Sequence, residues 1–372
     1  MKYFFNFFLL FPLFLSAKLF DSFYGPISVE EPVLIELLEA PAMQRLRAIH
    51  QYGASYYITH SEEYSRYDHS LGVFALLRKA HASLDEQIAG LLHDVSHTVF
   101  SHVGDFLFNV HHPETDYQNS IHKTFLTLSG LEEILVKHGY ETSKILPHNE
   151  EFIMLEQPLP SLCADRLDYN LQGAYFQGFL TKDEAVTLYN DFRFEDGSWL
   201  TDHTDLLKKL ARFSFFMTQD CWGSPISNKI SSWLASALKR GLEIHLLTFE
   251  DIHFGYDQEV WEALCQSQDA LIVDYMDQIM NASSYIQEVD RIEAETIIPF
   301  KCRGIDPWVK EEGEMKRLSD IDAAIAEELA NLRKKALEGW SIKVLKKYSP
   351  LSCFLNTPIA NVKSYGNPVF AL

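Results

Sequence analysis

Histidine and aspartate carry the reactive potential of this sequence. Of 15 histidines, 10 lie between His50 and His122. His93 and Asp94 stand side by side at the end of the apolar run Ile88–Leu92. An imidazole next to a carboxylate suits a divalent ion such as Zn, Fe or Mn better than a thiolate-seeking one. Neighbouring helical residues project about 100° apart, so both reach one ion only if it lies in the wedge between them. His97 falls four residues after His93 and shares its face if the helix continues. His102 and Asp105 follow at i, i+3, a spacing that lets a carboxylate orient an imidazole and stabilise its charge for general acid work. Upstream, His69 opens a helix next to Asp68, three residues after Arg66. Downstream, Asp165 and Asp168 sit at i, i+3 with Arg166 between them and Tyr169 beyond.

Each piece alone is weak. A lone histidine is more often an ordinary hydrogen-bonded residue than a ligand, and carboxylates three apart are roughly nine times in ten solvated helix-surface charges. The combination is stronger, because these polar residues interrupt stretches that otherwise read as core. Burying such groups without partners costs several kcal/mol, and a shared metal is one efficient partner.

Helices must position these residues. Residues 31–50 show apolar positions at helical spacing, interrupted by Pro41, which predicts two helices meeting there. Asp68 is expected to cap a helix through residue 80, and Ser83 with Glu86 forms a capping box for the next. Further helical stretches are predicted over 119–138, 162–177, 181–191, 203–222, 227–240, 257–267, 269–281 and 319–338. Residues 293–303 and 341–348 are the strand candidates, by alternation and β-branched content. The softest boundary is the turn-like cluster Glu195–Ser198.

Composition bounds the rest. The chain has 372 residues, 47% hydrophobic and 23% charged, within the globular range. With 32 Lys plus Arg against 52 Asp plus Glu, the formal net charge is −20. Such a surface repels phosphate backbones and argues against a nucleic-acid polymer as partner. Five scattered cysteines without a CxxC pair argue against a thiolate zinc site and a disulfide framework. Residues 1–17 have the basic start, apolar centre and small-residue end of a secretory signal, with an apolar run short of the roughly 20 residues that span a bilayer. Export to a periplasm or medium is therefore expected, with the cytoplasm as the alternative if the segment is retained.

The motifs resemble those of the HD-domain phosphohydrolases, in the branch that holds the deoxynucleotide triphosphohydrolases and their bacterial relatives. The matching text is QRLRAIHQYGASYYI (44–58), SRYDHSLGV (65–73), AGLLHDVSHTVFSHVGD (89–105) and ADRLDYNLQGAYFQG (164–178). A weaker match is KCRGIDPWV (301–309). The resemblance implies a mainly α fold: an HD helical core over 18–195 and a helical C-terminal region over 196–372 containing a small β element. It implies His69, His93, Asp94 and Asp165 as ligands of a divalent ion (Mn, Fe, Zn, Ni, Co or Mg). It assigns His97 to phosphate binding, His102 with Asp105 to general acid work, and His122 to a further phosphate contact. Arg66 and Arg166 are the implied phosphate-binding cations, and Gln51 and Tyr169 match nucleoside contacts.

Two departures bear on the substrate. The position whose Asp holds the sugar 3′-hydroxyl in dNTP-hydrolysing members is Gly173 here, and their Tyr-x-His-Lys stretch is Trp222-Gly223-Ser224-Pro225. The expected function is hydrolysis of a phosphate ester or anhydride of a small nucleotide-like substrate by metal-activated water, with a dNTP disfavoured. The alternative is a non-catalytic nucleotide- or metal-sensing module on the same scaffold. No stable membrane span is expected, and a homo-oligomeric state is left open.

Overall fold

The computed structural model describes residues 17–59, 64–108, 116–311 and 313–345. The apolar start of the chain, read above as a secretory signal, lies outside the described residues up to position 16.

Two helices do meet at Pro41: α1 (Pro32–Glu39) and α2 (Pro41–Arg45). Each carries its proline at the first turn, where the missing N–H costs nothing. After the short α3 (Ser55–Thr59), α4 (Arg66–Lys79) begins at Ser65 rather than at Asp68. Ser65 accepts from the Asp68 N–H, and the Asp68 carboxylate accepts from the Ser65 N–H, so Asp68 is the third-position partner of a capping box. Ser83 caps α5 (Leu84–Leu92) as expected. Glu86 does not close the reciprocal bond, because its buried carboxylate accepts the Met154 and Leu155 N–H groups instead.

Helix α5 stops at Leu92, with His93 as its C-cap. The expected continuation to His97 is replaced by a run of turns up to α6 (Val103–Leu107), in which Phe100 and Ser101 adopt φ of +59° and +55°. Then come α7 (Tyr117–Leu128), α8 (Leu131–Lys137) and α9 (Ala164–Phe176), which packs on α4. Beyond α10 (Lys182–Asp191), the Glu195–Ser198 cluster is the turn of a small hairpin, Arg193–Glu195 with Ser198–Leu200. Buried apolar residues continue across it, and α11 (Thr204–Phe216) packs on α9. A π-helical turn, Met217–Trp222, leads to α12 (Pro225–Glu243), followed by α13 (Phe249–Phe254) and α14 (Asp257–Cys265).

The strand expectation holds at its centre. Thr296–Ile298 and Trp340–Val344 pair antiparallel, with Ile286–Glu288 on the other edge of Trp340–Val344. Among the described residues the fold is mainly α, with the strands in small sheets and hairpins. No helix among the described residues is long and apolar enough to cross a membrane. The four described cysteines are free thiols.

Candidate metal centre

Three elements deliver one cluster. Helix α4 supplies His69 from its second turn, the C-terminus of α5 supplies His93 and Asp94, and the first turn of α9 supplies Asp165. The Nε2 atoms of His69 and His93 stand 3.2 Å apart, and Asp165 Oδ1 lies 3.0 Å from the first and 3.6 Å from the second. Asp94 approaches both rings, with Oδ2 3.6 Å from His69 Nε2 and Oδ1 3.5 Å from His93 Nε2. The wedge argument therefore describes His93 and Asp94 at the helix end.

The other ring nitrogens show why these atoms suit a cation. His93 Nδ1 donates to the Gly90 carbonyl at 2.8 Å, and His69 Nδ1 donates to Asp168 Oδ2 at 2.7 Å. With the proton on Nδ1, each Nε2 turns its lone pair toward the other and toward two carboxylates. Burial alone would lower the His69 imidazole, but its bonds to Asp165 and Asp168 and the charges of Asp168 and Asp94 raise it to about 10. Burial would raise Asp94, and the Arg66 guanidinium beside it holds it well below the ordinary carboxylate range. So positive charge is favoured where the two imidazole nitrogens meet the Asp165 carboxylate, with Asp94 alongside both rings. That donor set fits a divalent ion with mixed nitrogen and oxygen ligation.

Asp168 departs from the background expectation that carboxylates three apart are solvated surface charges. Its carboxylate is fully buried and accepts from Tyr24 Oη at 2.8 Å and Gln172 Nε2 at 2.9 Å, besides His69. A Cβ on Gly72 of α4 would fall 1.8 Å from Asp168 Oδ1, so only glycine admits this carboxylate between the two helices. The i, i+3 spacing to Asp165 was the available signal. Tyr24, on the turn between Lys18–Ser22 and Gly25–Val29, left no local trace.

Around the centre stand the remaining candidates. His97 Nε2 lies 3.2 Å from Asp94 Oδ1, and burial together with the Arg66 charge lowers its imidazole to about 4, so it is neutral. His102 Nδ1 meets Asp105 Oδ2 at 3.1 Å, and Asp105 Oδ1 accepts from the Tyr117 N–H. The His102 side chain is 46% exposed, and its ring centroid lies 5.0 Å from that of His97. His122 on α7 bonds Ser96 Oγ through Nδ1 at 2.9 Å, while its buried Nε2 has no partner among the described residues. The Gln51 amide oxygen is likewise buried and without a partner among them.

The arginines are already engaged. Arg66 donates to Asp94 Oδ2 and to Ser101 Oγ. Arg166 turns to Glu156 and to the Ser161 carbonyl. Tyr169 packs edge-on against Trp222, with centroids 5.5 Å apart. At Gly173 a Cβ would come within 2.7 Å of Phe213 Cζ and 3.0 Å of Tyr52 Oη, so aromatic groups fill the space of an aspartate there. Trp222–Pro225 serves the backbone: Gly223 abuts the Phe300 ring, and Ser224 caps α12 ahead of Pro225.

A helical core that gathers two imidazoles and a carboxylate close enough to share one divalent ion, beside a paired histidine and aspartate, has the donor set of a metal centre. Comparison with known proteins agrees. A family model described as "HD domain" matches residues 66–170. The chain is 33% identical over 334 residues to the uncharacterized protein YdhJ of Bacillus subtilis, covering 88% of this chain and 99% of that protein. It is 36% identical over 217 residues to the metal-dependent phosphohydrolase cns2 of Cordyceps militaris, covering 56% of this chain and 62% of that protein. It is 29% identical over 176 residues to the deoxynucleoside triphosphate triphosphohydrolase SAMHD1 of Danio rerio, covering 41% of this chain and 28% of that protein. The chain belongs to the HD-domain family of metal-dependent phosphohydrolases.

Proposed function

We propose that this protein hydrolyses a phosphate ester or anhydride of a small nucleotide-like substrate, with a dNTP disfavoured. The observation that carries the reading is the convergence of His69, His93 and Asp165, with Asp94 alongside both rings, and the His102–Asp105 pair nearby through His97. His69, His93, Asp94 and Asp165 are the residues that would hold a divalent ion, which when bound would supply Lewis acidity and activate water near neutral pH.

The chain's own groups do the rest. Asp105 accepts a hydrogen bond from His102 Nδ1 and stabilises the imidazolium form, whose Nε2 proton is the one delivered to the leaving oxygen. The buried Nε2 of His122 can offer an N–H to a phosphate oxygen, and neutral His97 offers its single N–H once Asp94 turns from it toward an ion. Arg66 keeps Asp94 ionised and retains N–H capacity toward an anion. The Gln51 amide oxygen, buried and without a partner among the described residues, can accept from a base or sugar donor. The likeness to SAMHD1 supports a nucleotide as the class, and the aromatic filling at Gly173 supports a substrate bound without an aspartate at its sugar.

The test is metal analysis of the purified protein, followed by a phosphate-release screen over mono-, tri- and cyclic nucleotides with Mn, Fe, Co, Ni, Zn or Mg. Turnover that disappears in Asp94→Ala supports the reading. No turnover with any metal, or turnover that survives Asp94→Ala, overturns it.

A further inference from the structure

The turns between α5 and α6 carry both His97 and His102, yet they are awkward backbone. Phe100 and Ser101 are consecutive non-glycine residues in the left-handed region. Such a conformation persists only where the surroundings over-determine it.

Part of that determination comes from the N-terminal side: Ser101 Oγ donates to the His50 carbonyl at 2.7 Å and accepts from Arg66 Nε at 3.0 Å. The rest comes from α13 and α14, outside the 66–170 match. The Asp257 carboxylate, fully buried at the start of α14, accepts the Phe100 N–H at 2.7 Å on one oxygen and the His50 N–H at 2.9 Å on the other. Arg45 donates to the His97 carbonyl and, through Nε, to the Gly255 carbonyl, both at 3.0 Å. The Val99 N–H donates to the Ile252 carbonyl at 3.0 Å. Tyr57 stacks on Trp261 of α14 at 4.4 Å, and both rings meet Phe100 edge-on.

We infer that Asp257 is a positioning residue: with Arg45 it clamps the turns that present His97 and His102, so that the C-terminal half completes the reactive geometry without touching the substrate. The inference rests on the assignment of those two histidines to the reaction. A buried carboxylate that spends both oxygens on backbone N–H groups of two separate segments pins one segment to the other, and small displacements of reacting groups are costly in rate.

Asp257→Asn tests it, since the amide keeps the shape but turns an NH2 toward one of the two N–H donors. Amide hydrogen exchange over residues 95–102 is expected to speed up about tenfold or more. With substrate, kcat is expected to fall about tenfold or more, exceeding any rise in KM, while bound metal per chain stays within about twofold. Arg45→Lys, which loses the bond to the His97 carbonyl, is expected to show the same pattern and decides the matter if Asp257→Asn does not fold. Unchanged exchange and kcat in a folded variant would overturn the inference, as would a fall in kcat without faster exchange, metal loss in proportion to activity, or failure of both variants to fold. If the wild type turns over no substrate, the exchange measurement still tests the clamp, and only the proposed activity falls.

Discussion

His69 donates its Nδ1 proton to the fully buried carboxylate of Asp168 at 2.7 Å, from the far side of the ring whose Nε2 faces the metal centre. This bond sets which nitrogen is free to act as ligand, and it depends on a third position, because only glycine at residue 72 leaves room for the carboxylate.

Replacing Asp168 with Asn keeps an acceptor for one donor and removes the charge that holds His69 in its tautomer. Loss of such an outer partner typically weakens metal binding about 10- to 100-fold. Competition with a chelator indicator measures it, and an unchanged affinity would contradict the role of the bond.

Gly72→Ala places a methyl group 1.8 Å from Asp168 Oδ1, in a region with no slack. The helices must separate or the carboxylate must leave His69, at a cost of at least about 1–3 kcal/mol. Urea unfolding of the variant is expected to show this loss together with reduced metal content.

His122 makes stability depend on pH. Burial, reinforced by the His93 charge, lowers its imidazole to about 3, against an ordinary value of 6.5 in the unfolded chain. Below 6.5 the unfolded chain therefore binds a proton that the folded chain refuses. The His122 contribution is present in full above pH 6.5 and is lost as pH falls toward 3, at up to about 1.4 kcal/mol per pH unit. In His122→Gln the decline between pH 6.5 and 4.5 is expected to be shallower by that slope. Urea midpoints with chelator in both samples separate this effect from metal release.

Gly173→Asp is expected to lose stability rather than gain a sugar contact, because its Cβ would sit 2.7 Å from Phe213 Cζ. Overpacking of this kind costs about 1–3 kcal/mol. A lower melting temperature without new dNTP hydrolysis is the predicted result, and efficient dNTP turnover by the variant would refute it.

Metal removal should lower the melting temperature, since a ligand bound only to the folded state adds about 4 kcal/mol at a thousandfold excess over its Kd. The shift on adding a chelator is expected to vanish in a His93→Ala, Asp165→Ala double variant.

The candidate ligands were legible because each sits in a local pattern: His69 next to a capping box, His93-Asp94 at the end of an apolar helix, Asp165 in the first turn of another. Periodicity likewise located most helices and the pairing strands, since burial of one face repeats with the helix or strand period. Boundaries were less legible. Asp68 has the side chain of a cap, but Ser65 wins the position because the two close a reciprocal pair. The 93–97 spacing suited a continuing helix, yet the chain turns at His93, where its Nδ1 binds the Gly90 carbonyl.

By itself, then, the sequence determined which residue types could bind a cation and move a proton, since that chemistry belongs to side chains and their local spacing. Only the tertiary structure decided that Asp168 is buried against His69, that Glu156 holds Arg166, that Phe213 fills the space beside Gly173, and that Asp257 binds the Phe100 and His50 amides. Those partners are brought together by helix packing between residues up to 207 positions apart. No local pattern encodes such a pairing, because either residue alone satisfies its own helix equally well.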